Sequence, residues 1–246
     1  MNYEKTKVGI ISVCVGKYNI FLETYLNSFK DYFLKDCEKH FYIFTDVEDE
    51  VINKYQNDGF NITKIKIDKK GWPYDTLYRF KYICENKHMF KDEYLIFTNI
   101  NLKCQSLILS EEILPEKKGI VSTSHPGYYN KPKNTYPYET RQISEAFTDV
   151  KKGLGYYQGC LYGGSHDEFI KMCEVLDNRT TIDEKKDVIA LWHDESHLNK
   201  YLSDNPPVKV LRHVYIFPES WRCNPSIIKM IQLDKNKYGG HEFLRS

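Results

Sequence analysis

The sequence predicts an α/β protein, a mostly parallel sheet flanked by helices with a loop-rich second half. Three observations carry that expectation. Short apolar runs of strand character alternate with amphipathic segments over the first half of the chain. The strand-like runs end at Gly16, Asp46 and Asn99, and in such sheets ligands bind at the carboxyl ends of strands. Residues 125–164 are rich in Pro, Gly, Tyr and Asn, and a long loop-rich insert over an α/β sheet is usually functional.

The elements follow in order. Val8 to Val15 is an apolar run ending at Gly16 and reads as a buried strand. Asn19 stands where it could cap the next helix, whose apolar stripe is Phe21, Tyr25, Leu26 and Phe29. His40 to Phe44 is a second strand, running into Thr45-Asp46, and Phe60 to Ile67 alternates as a strand does. Pro73 suits a first helical turn, continued by Leu77, Phe80, Lys81 and Cys84. Glu93 to Thr98 is a buried strand stopping at Asn99-Ile100-Asn101, and Gly119 to Ser124 is another. No repeat or low-complexity linker divides the chain, so it reads as one domain, residues 1–246.

Composition excludes several classes. With 246 residues and 41% hydrophobic side chains, a sizeable core is expected. The 35 basic and 34 acidic residues leave a net charge of +1, which argues against nucleic-acid binding driven by bulk charge. The 7 cysteines, Cys14, Cys37, Cys84, Cys104, Cys160, Cys173 and Cys223, are odd in number and scattered, with no C-x-x-C. They read as reduced core residues of a cytoplasmic protein. No apolar stretch approaches the ~18 residues of a membrane span, and Met1-Asn2-Tyr3 leads straight into a strand without a signal peptide. The expected location is the cytoplasm, with at most peripheral contact with a membrane. Neither G-x-G-x-x-G after the first strand nor G-x-x-x-x-G-K-[ST] anywhere occurs, against a dinucleotide dehydrogenase and a P-loop ATPase. The 20 tyrosines suit sugar or base binding, and a low-GC genome explains them equally well.

The most informative stretch is Trp192-His193-Asp194-Glu195-Ser196-His197-Leu198-Asn199-Lys200, which reads as the middle of a helix. Ile189, Ala190, Leu191 and Trp192 before it, with Leu198 and Tyr201 after, suggest packing on a core. Carboxylates are rarely fully buried unless paired. Three readings stand side by side. The first is a solvated charged face, the commonest fate of such runs. The second is a zinc hydrolase, since His193 and His197 are four apart. There the glutamate comes one place late, about 100° round the helix, and no third ligand is evident. The third makes Glu195 or Asp194 a catalytic carboxylate.

The motifs, taken in order, resemble glycosyltransferase family 6, the family of the histo-blood-group A and B transferases, the α1,3-galactosyltransferase and soluble bacterial homologues. The matching blocks are Phe44-Thr45-Asp46, Gly71-Trp72 with Arg79, His125-Pro126-Gly127-Tyr128-Tyr129, Tyr138-Glu139-Thr140-Arg141, Tyr156 to Gly164, and Trp192 to Tyr201. They span almost the whole chain, and the run WHDESHLNKYL is highly specific. The resemblance implies a GT-A fold, with residues 1–101 mainly nucleotide-binding and 102–246 mainly acceptor-binding and catalytic. It implies retaining transfer of an α-linked sugar from a UDP donor to the 3-hydroxyl of a β-galactoside, expected to be fucosylated. Retention needs an anion beside the developing oxocarbenium centre.

On this resemblance Glu195 matches the family's proposed nucleophile, and it also faces the acceptor. Asp194 matches a residue binding donor-sugar hydroxyls and His193 a neighbour in that pocket. Asn99-Ile100-Asn101 replaces the usual D-x-D. Neutral amides do not offset a divalent ion as carboxylates do, so no metal or other cofactor is expected. The resemblance then gives phosphate binding to Lys235, with Lys237 and Arg79 as further cations. Cys14, Val15 and Tyr18 match positions around the uracil and ribose. His125 matches an acceptor-galactose contact, Thr140 replaces an arginine beside the surviving Arg141, and Trp192 is placed to pack on a sugar face. Gln158-Gly159-Cys160 matches the segment that chooses between donors. Cys160 exceeds glycine or alanine in bulk, and one extra group discriminates by ~1–3 kcal/mol. UDP-galactose is therefore the expected donor, with UDP-N-acetylgalactosamine the alternative. A sugar-nucleotide-binding domain without turnover is the other class to test.

Overall fold

The computed structural model describes residues 4–222 and 224–246. Two parts of the sequence reading, the Met1-Asn2-Tyr3 start and Cys223, lie outside the described residues. The strands are β1 Lys7–Cys14, β2 Glu38–Thr45, β3 Ile62–Lys66, β4 Tyr94–Thr98, β5 Leu102–Cys104, β6 Ile120–Ser124, β7 Tyr157–Ser165, β8 Lys209–Leu211, β9 Phe217–Pro218 and β10 Met230–Gln232. The α-helices are α1 Leu22–Tyr32, α2 Asp49–Asn57, α3 Tyr74–Leu77, α4 Arg79–Glu85, α5 Ser110–Ile113, α6 His166–Lys185, α7 Asp194–Asp204 and α8 Gly240–Arg245.

A seven-stranded sheet runs in the order β3-β2-β1-β4-β7-β6-β8, and β5-β10-β9 form a small sheet beside it. The pairs β3-β2, β2-β1, β1-β4 and β6-β8 are parallel, whereas β7 is antiparallel to both of its neighbours. The expected α/β architecture is thus present. Tyr25, Leu26 and Phe29 of α1 pack on one face of the sheet. Phe80 of α4, Phe169 and Met172 of α6 and Leu198 and Leu202 of α7 pack on the other. The described cysteines are free and, apart from half-buried Cys84, buried, as core thiols.

Four sequence expectations are corrected. The loop-rich insert contains β7, a central strand. Its glycines hid it from the alternation pattern, and they are there because the neighbours come too close for side chains. A Cβ at Gly163 would clash with the Leu95 carbonyl, and one at Gly164 with that of Gly119. Asn19 caps nothing, because a 3₁₀ turn, Gly16–Phe21, precedes α1 and places Phe21 at the cap. The helix expected from Pro73 to Cys84 is broken at Tyr78 into α3 and α4. There Arg79 Nε donates to the Thr76 carbonyl at 3.0 Å, turning the guanidinium inward. Finally, Ile189 and Ala190 lie outside regular structure, Leu191 to His193 form a turn, and α7 begins only at Asp194. Ile189, Leu191 and Trp192 are therefore 40%, 52% and 49% exposed instead of packed.

Candidate active site

The acidic pair opens α7, and β7 lies against it. Asn199, one turn later on α7 and 1% exposed, binds the strand as a neighbouring backbone would. Its Oδ1 accepts from the Tyr157 amide and its Nδ2 donates to the Tyr157 carbonyl, both at 2.8 Å. This clamp fixes the register of α7 on β7 and sets Glu195 beside Gly159. A Cβ at Gly159 would lie 3.2 Å from Asp194 Oδ2 and 3.5 Å from Glu195 Cβ, so the helix can approach this closely because the residue is glycine.

Each oxygen of Glu195 has its own donor. Oε2 accepts from the Gly159 amide at 2.8 Å, and Oε1 accepts from the Tyr156 hydroxyl at 2.9 Å. Burial pushes its pKa up to about 7, with Asp194 adding to the rise and both hydrogen bonds and Arg79 opposing it. Asp194 Oδ2 lies 3.0 Å from Nη1 of Arg79, which also donates to the Gly159 carbonyl at 2.8 Å. Burial holds Asp194 above its ordinary range against the pull of that guanidinium. Phe97 underlies Arg79, 4.5 Å from ring centroid to Cζ.

The turn before α7 is strained and heavily braced. His193 has φ 50° and ψ −123°, a conformation that costs ~1–3 kcal/mol for a non-glycine residue. Its amide donates to Ala190 O, the Glu195 amide to Trp192 O, and the Trp192 amide to Ser196 Oγ. From the insert, Glu139 accepts from the Leu191 amide, and Arg141 Nη2 donates to Ile189 O. Glu139 is 2% exposed. Burial would raise its pKa, but hydrogen bonds from Arg141 and Leu191 hold it down at about 2. The His193 ring meets Trp72 edge-on at 4.8 Å.

A cleft with about 650 Å³ of empty space, partly open to solvent, lies at the carboxyl ends of the strands. Val13, Val15, Tyr18, Trp72, Arg79, Asn99, Asn101, Lys69, Lys235 and Arg245 are among its walls. A second, open groove of about 740 Å³ is lined by His125, Gly127, Tyr128, Tyr129, Lys131 and Trp221. The acidic pair stands between the two hollows. On one side Arg79 of the cleft touches Asp194. On the other the His125 ring lies 5.6 Å from Tyr156, which holds Glu195.

The structure thus brings together Val15, Tyr18, Arg79, Asn99, Asn101 and Lys235 on the cleft, and Asp194 and His193, with Gly159 and Glu195 beside them, touch its walls at Arg79 and Trp72. Others are placed elsewhere. Cys14 and Cys160 are 0% and 1% exposed in the core, because alternate strand residues face opposite sides. Val13 lines the cleft in place of Cys14. Lys237 is bound to Glu219 at 2.7 Å and is not among the cleft's walls. Thr140 is exposed, while its neighbours Glu139 and Arg141 do the bracing. Trp192 is half-exposed. Gln158 Nε2 donates to Gln232 Oε1 at 3.2 Å, leaving its own buried oxygen without a protein partner.

Asn99 and Asn101, at the end of β4, both line the cleft. Asn101 Nδ2 donates to Leu233 O at 3.3 Å, tying the segment before Lys235 to the cleft floor. Among the described residues no three His, Cys, Asp or Glu side chains gather to hold a metal. His193 and His197 do not face a common point either. His197 is buried with Nε2 3.6 Å from Asp183 Oδ2, and burial lowers its pKa. The zinc-hydrolase reading loses its geometric basis. Lys69, Arg245, Tyr156 and Asn199 had no role in the sequence reading. Asn199 was findable as the residue four after Glu195, but Lys69 and Arg245 reach the cleft only through the fold.

Comparison with known proteins gives concordant matches. The model of glycosyltransferase family 6 matches residues 1–246. The Escherichia coli O-antigen biosynthesis glycosyltransferase WbnI is 32% identical over 232 residues, covering 94% of this chain and 95% of that protein. The mouse globoside alpha-1,3-N-acetylgalactosaminyltransferase 1 is 30% identical over 240 residues, covering 94% of this chain and 66% of that protein. The rat histo-blood group ABO system transferase 2 is 28% identical over 231 residues, covering 92% and 68%.

Proposed function

The chain belongs to glycosyltransferase family 6 and is a glycosyl-transferring enzyme, and from that premise we propose that it is a retaining, metal-independent α1,3-glycosyltransferase. It moves galactose from UDP-galactose to the 3-hydroxyl of a β-galactoside, in the first instance a fucosylated one. One observation carries this reading: a carboxylate with both oxygens fixed, by Gly159 and Tyr156, stands between a cation-bearing cleft and an aromatic groove.

In this reading the uracil lies against Tyr18 between Val13 and Val15. Lys235, Lys69 and Arg245 surround the diphosphate and offset the charge that grows as the glycosidic bond breaks and its electron pair leaves on UDP. The donor sugar reaches Asp194 and His193. Arg79 orients Asp194, since its own charge is already spent on that partner. Glu195 supplies the anion that retention requires, whether it bonds the anomeric carbon or stabilises an ion pair. The acceptor hydroxyl enters from the groove on the face that UDP vacates, and its proton leaves to the released phosphate on that same face.

UDP-galactose rests on the Gln158-Gly159-Cys160 segment. The buried position of the Cys160 thiol favours a second reading, in which the donor is UDP-N-acetylgalactosamine. That thiol does not narrow the cleft, so Gln158, Gly159 and the His193-Asp194 side set the room at carbon 2. A UDP-release assay with both donors tests the reading, with lactose and 2′-fucosyllactose as acceptors and with or without EDTA. Acceptor-dependent UDP release that survives EDTA is the expected result. Donor binding without release points instead to a non-catalytic sugar-nucleotide-binding domain.

A further inference from the structure

We propose that Asp75 is a positioning residue for the donor diphosphate: it fixes the loop 69–72, and through that loop it sets Lys69 and Arg245 on the cleft. The inference rests on the donor reading above and concerns a residue to which that reading gives no role.

Asp75 belongs to α3 and is one of the walls of the cleft. On charge alone it is out of place, because a carboxylate repels a diphosphate. Lys69, Arg79, Lys235 and Arg245 stand among the same walls. Both oxygens of Asp75, however, are taken up by the chain. Oδ1 accepts from the Lys70 amide at 2.6 Å, and Oδ2 accepts from the Gly71 amide at 3.1 Å. The Asp75 amide donates in return to the Gly71 carbonyl, also at 3.1 Å. Gly71 has φ 84°, in the left-handed region that favours glycine. The backbone turns there, and one carboxylate holds two successive amides of the turn by charge-assisted hydrogen bonds.

The clamped amides lie between two side chains that the cleft uses. Lys69 comes just before them, and its stem lies across Gly16, where a Cβ would stand 3.0 Å from Lys69 Cδ. Lys69 Nζ donates to the Ser246 backbone oxygen at 2.5 Å. Trp72 comes just after them. Its ring carries the Arg245 guanidinium, with Cζ 4.3 Å from the centroid, and meets His193 edge-on. Two of the three cations given to the diphosphate thus depend on this loop: Lys69 is part of it, and Arg245 is stacked on it. Lys235 does not depend on it, since it follows β10 and lies over the Tyr18 ring, 5.1 Å from its centroid. A loop fixed before the ligand arrives spares the ordering cost of binding. Asp75 contributes more to diphosphate binding by this geometry than its charge takes away.

Charge and geometry predict opposite signs, and the test reads the sign. It measures the Kd of UDP by titration calorimetry, and that of uridine by competition, for the wild type, Asp75→Ala and Asp75→Asn. Asp75→Ala should weaken UDP binding about tenfold, the scale of one or two lost hydrogen bonds to a charged group, and leave uridine within about twofold. Asp75→Asn keeps one acceptor and should fall between, and it carries the test if the alanine variant does not fold. The KM for the UDP-sugar should rise with the UDP Kd, while the KM for lactose stays in place. A Kd is a property of the folded molecules, so partial unfolding does not imitate this pattern. UDP bound as tightly as by the wild type or more tightly, or an equal loss of uridine binding, would overturn the positioning role. No UDP binding by the wild type would overturn the donor reading, and the role of Asp75 with it.

Discussion

Arg79 and Asp194 form a buried ion pair, Nη1 to Oδ2 3.0 Å, with side chains 5% and 10% exposed. The pair joins the first turn of α4 to the first turn of α7, and through the Gly159 carbonyl it also holds β7. It converts a cation that the sequence offers to phosphate into the partner that orients the Asp194 carboxylate, the proposed donor-sugar contact.

Asp194→Asn should therefore destabilise the protein as well as impair transfer. It leaves the Arg79 guanidinium buried without a counter-charge, and breaking a buried pair from one side costs ~3–5 kcal/mol. Thermal denaturation measures this. A melting temperature close to that of the wild type would mean that water reaches Arg79 and that the pair is not a buried one.

Glu195→Gln should lower kcat by ~10²–10³ while leaving UDP affinity nearly intact, as expected for a charge used mainly in the transition state. The same substitution should raise stability at alkaline pH. Folding raises the Glu195 pKa from 4.5 to about 7. The native state then holds this proton more tightly than the unfolded chain, and the resulting stability, complete below pH 4.5, is lost as pH rises through 7. Melting curves at pH 5 and pH 8 should show the gain only at the higher value. Turnover like the wild type's would remove Glu195 from the mechanism.

The pH dependence of kcat/KM should carry an acid limb near 7, because the proposed mechanism uses the ionised Glu195 carboxylate and burial pushes its pKa up to about 7. The hydrogen bond from Tyr156 favours the ionised form, so Tyr156→Phe should move that limb to higher pH. A limb that stays in place would show that another group governs the profile.

Activity should survive EDTA and gain little from Mn²⁺. Lys235→Ala should reduce it more than Asn99→Ala, by removing a full charge beside the leaving group. Asn101→Ala should fall between the two, since Asn101 ties down Leu233, two residues before Lys235. Loss of turnover on chelation, restored by Mn²⁺, would show that a metal is required.

Cys160→Gly should leave the ratio of kcat/KM for the two UDP-sugars nearly unchanged and lower stability by ~1–2 kcal/mol, as removal of a small buried group does. A clear shift toward UDP-N-acetylgalactosamine would mean that the segment moves on donor binding and brings the thiol to the cleft.

The local pattern of the chain determined a good part of this protein. Apolar runs such as Val8 to Val15 and Glu93 to Thr98 identified the strands that became β1 and β4, because a strand buried on both faces needs apolar residues throughout. The WHDESHLNKYL run, with its adjacent Asp194 and Glu195, was enough to locate the acidic centre. The tertiary structure decided what long-range packing controls. Glycine-rich β7 shows no apolar run, and only its close neighbours explain it. Whether Val13 or Cys14, and Gly159 or Cys160, faces the cleft depends on which side of the sheet carries the site. Arg79 and Lys237 read alike as available cations, yet one is spent on Asp194 and the other on Glu219. Charge and hydrophobicity are written residue by residue, but the partner that a charge meets is set by the chain's return from a distant position.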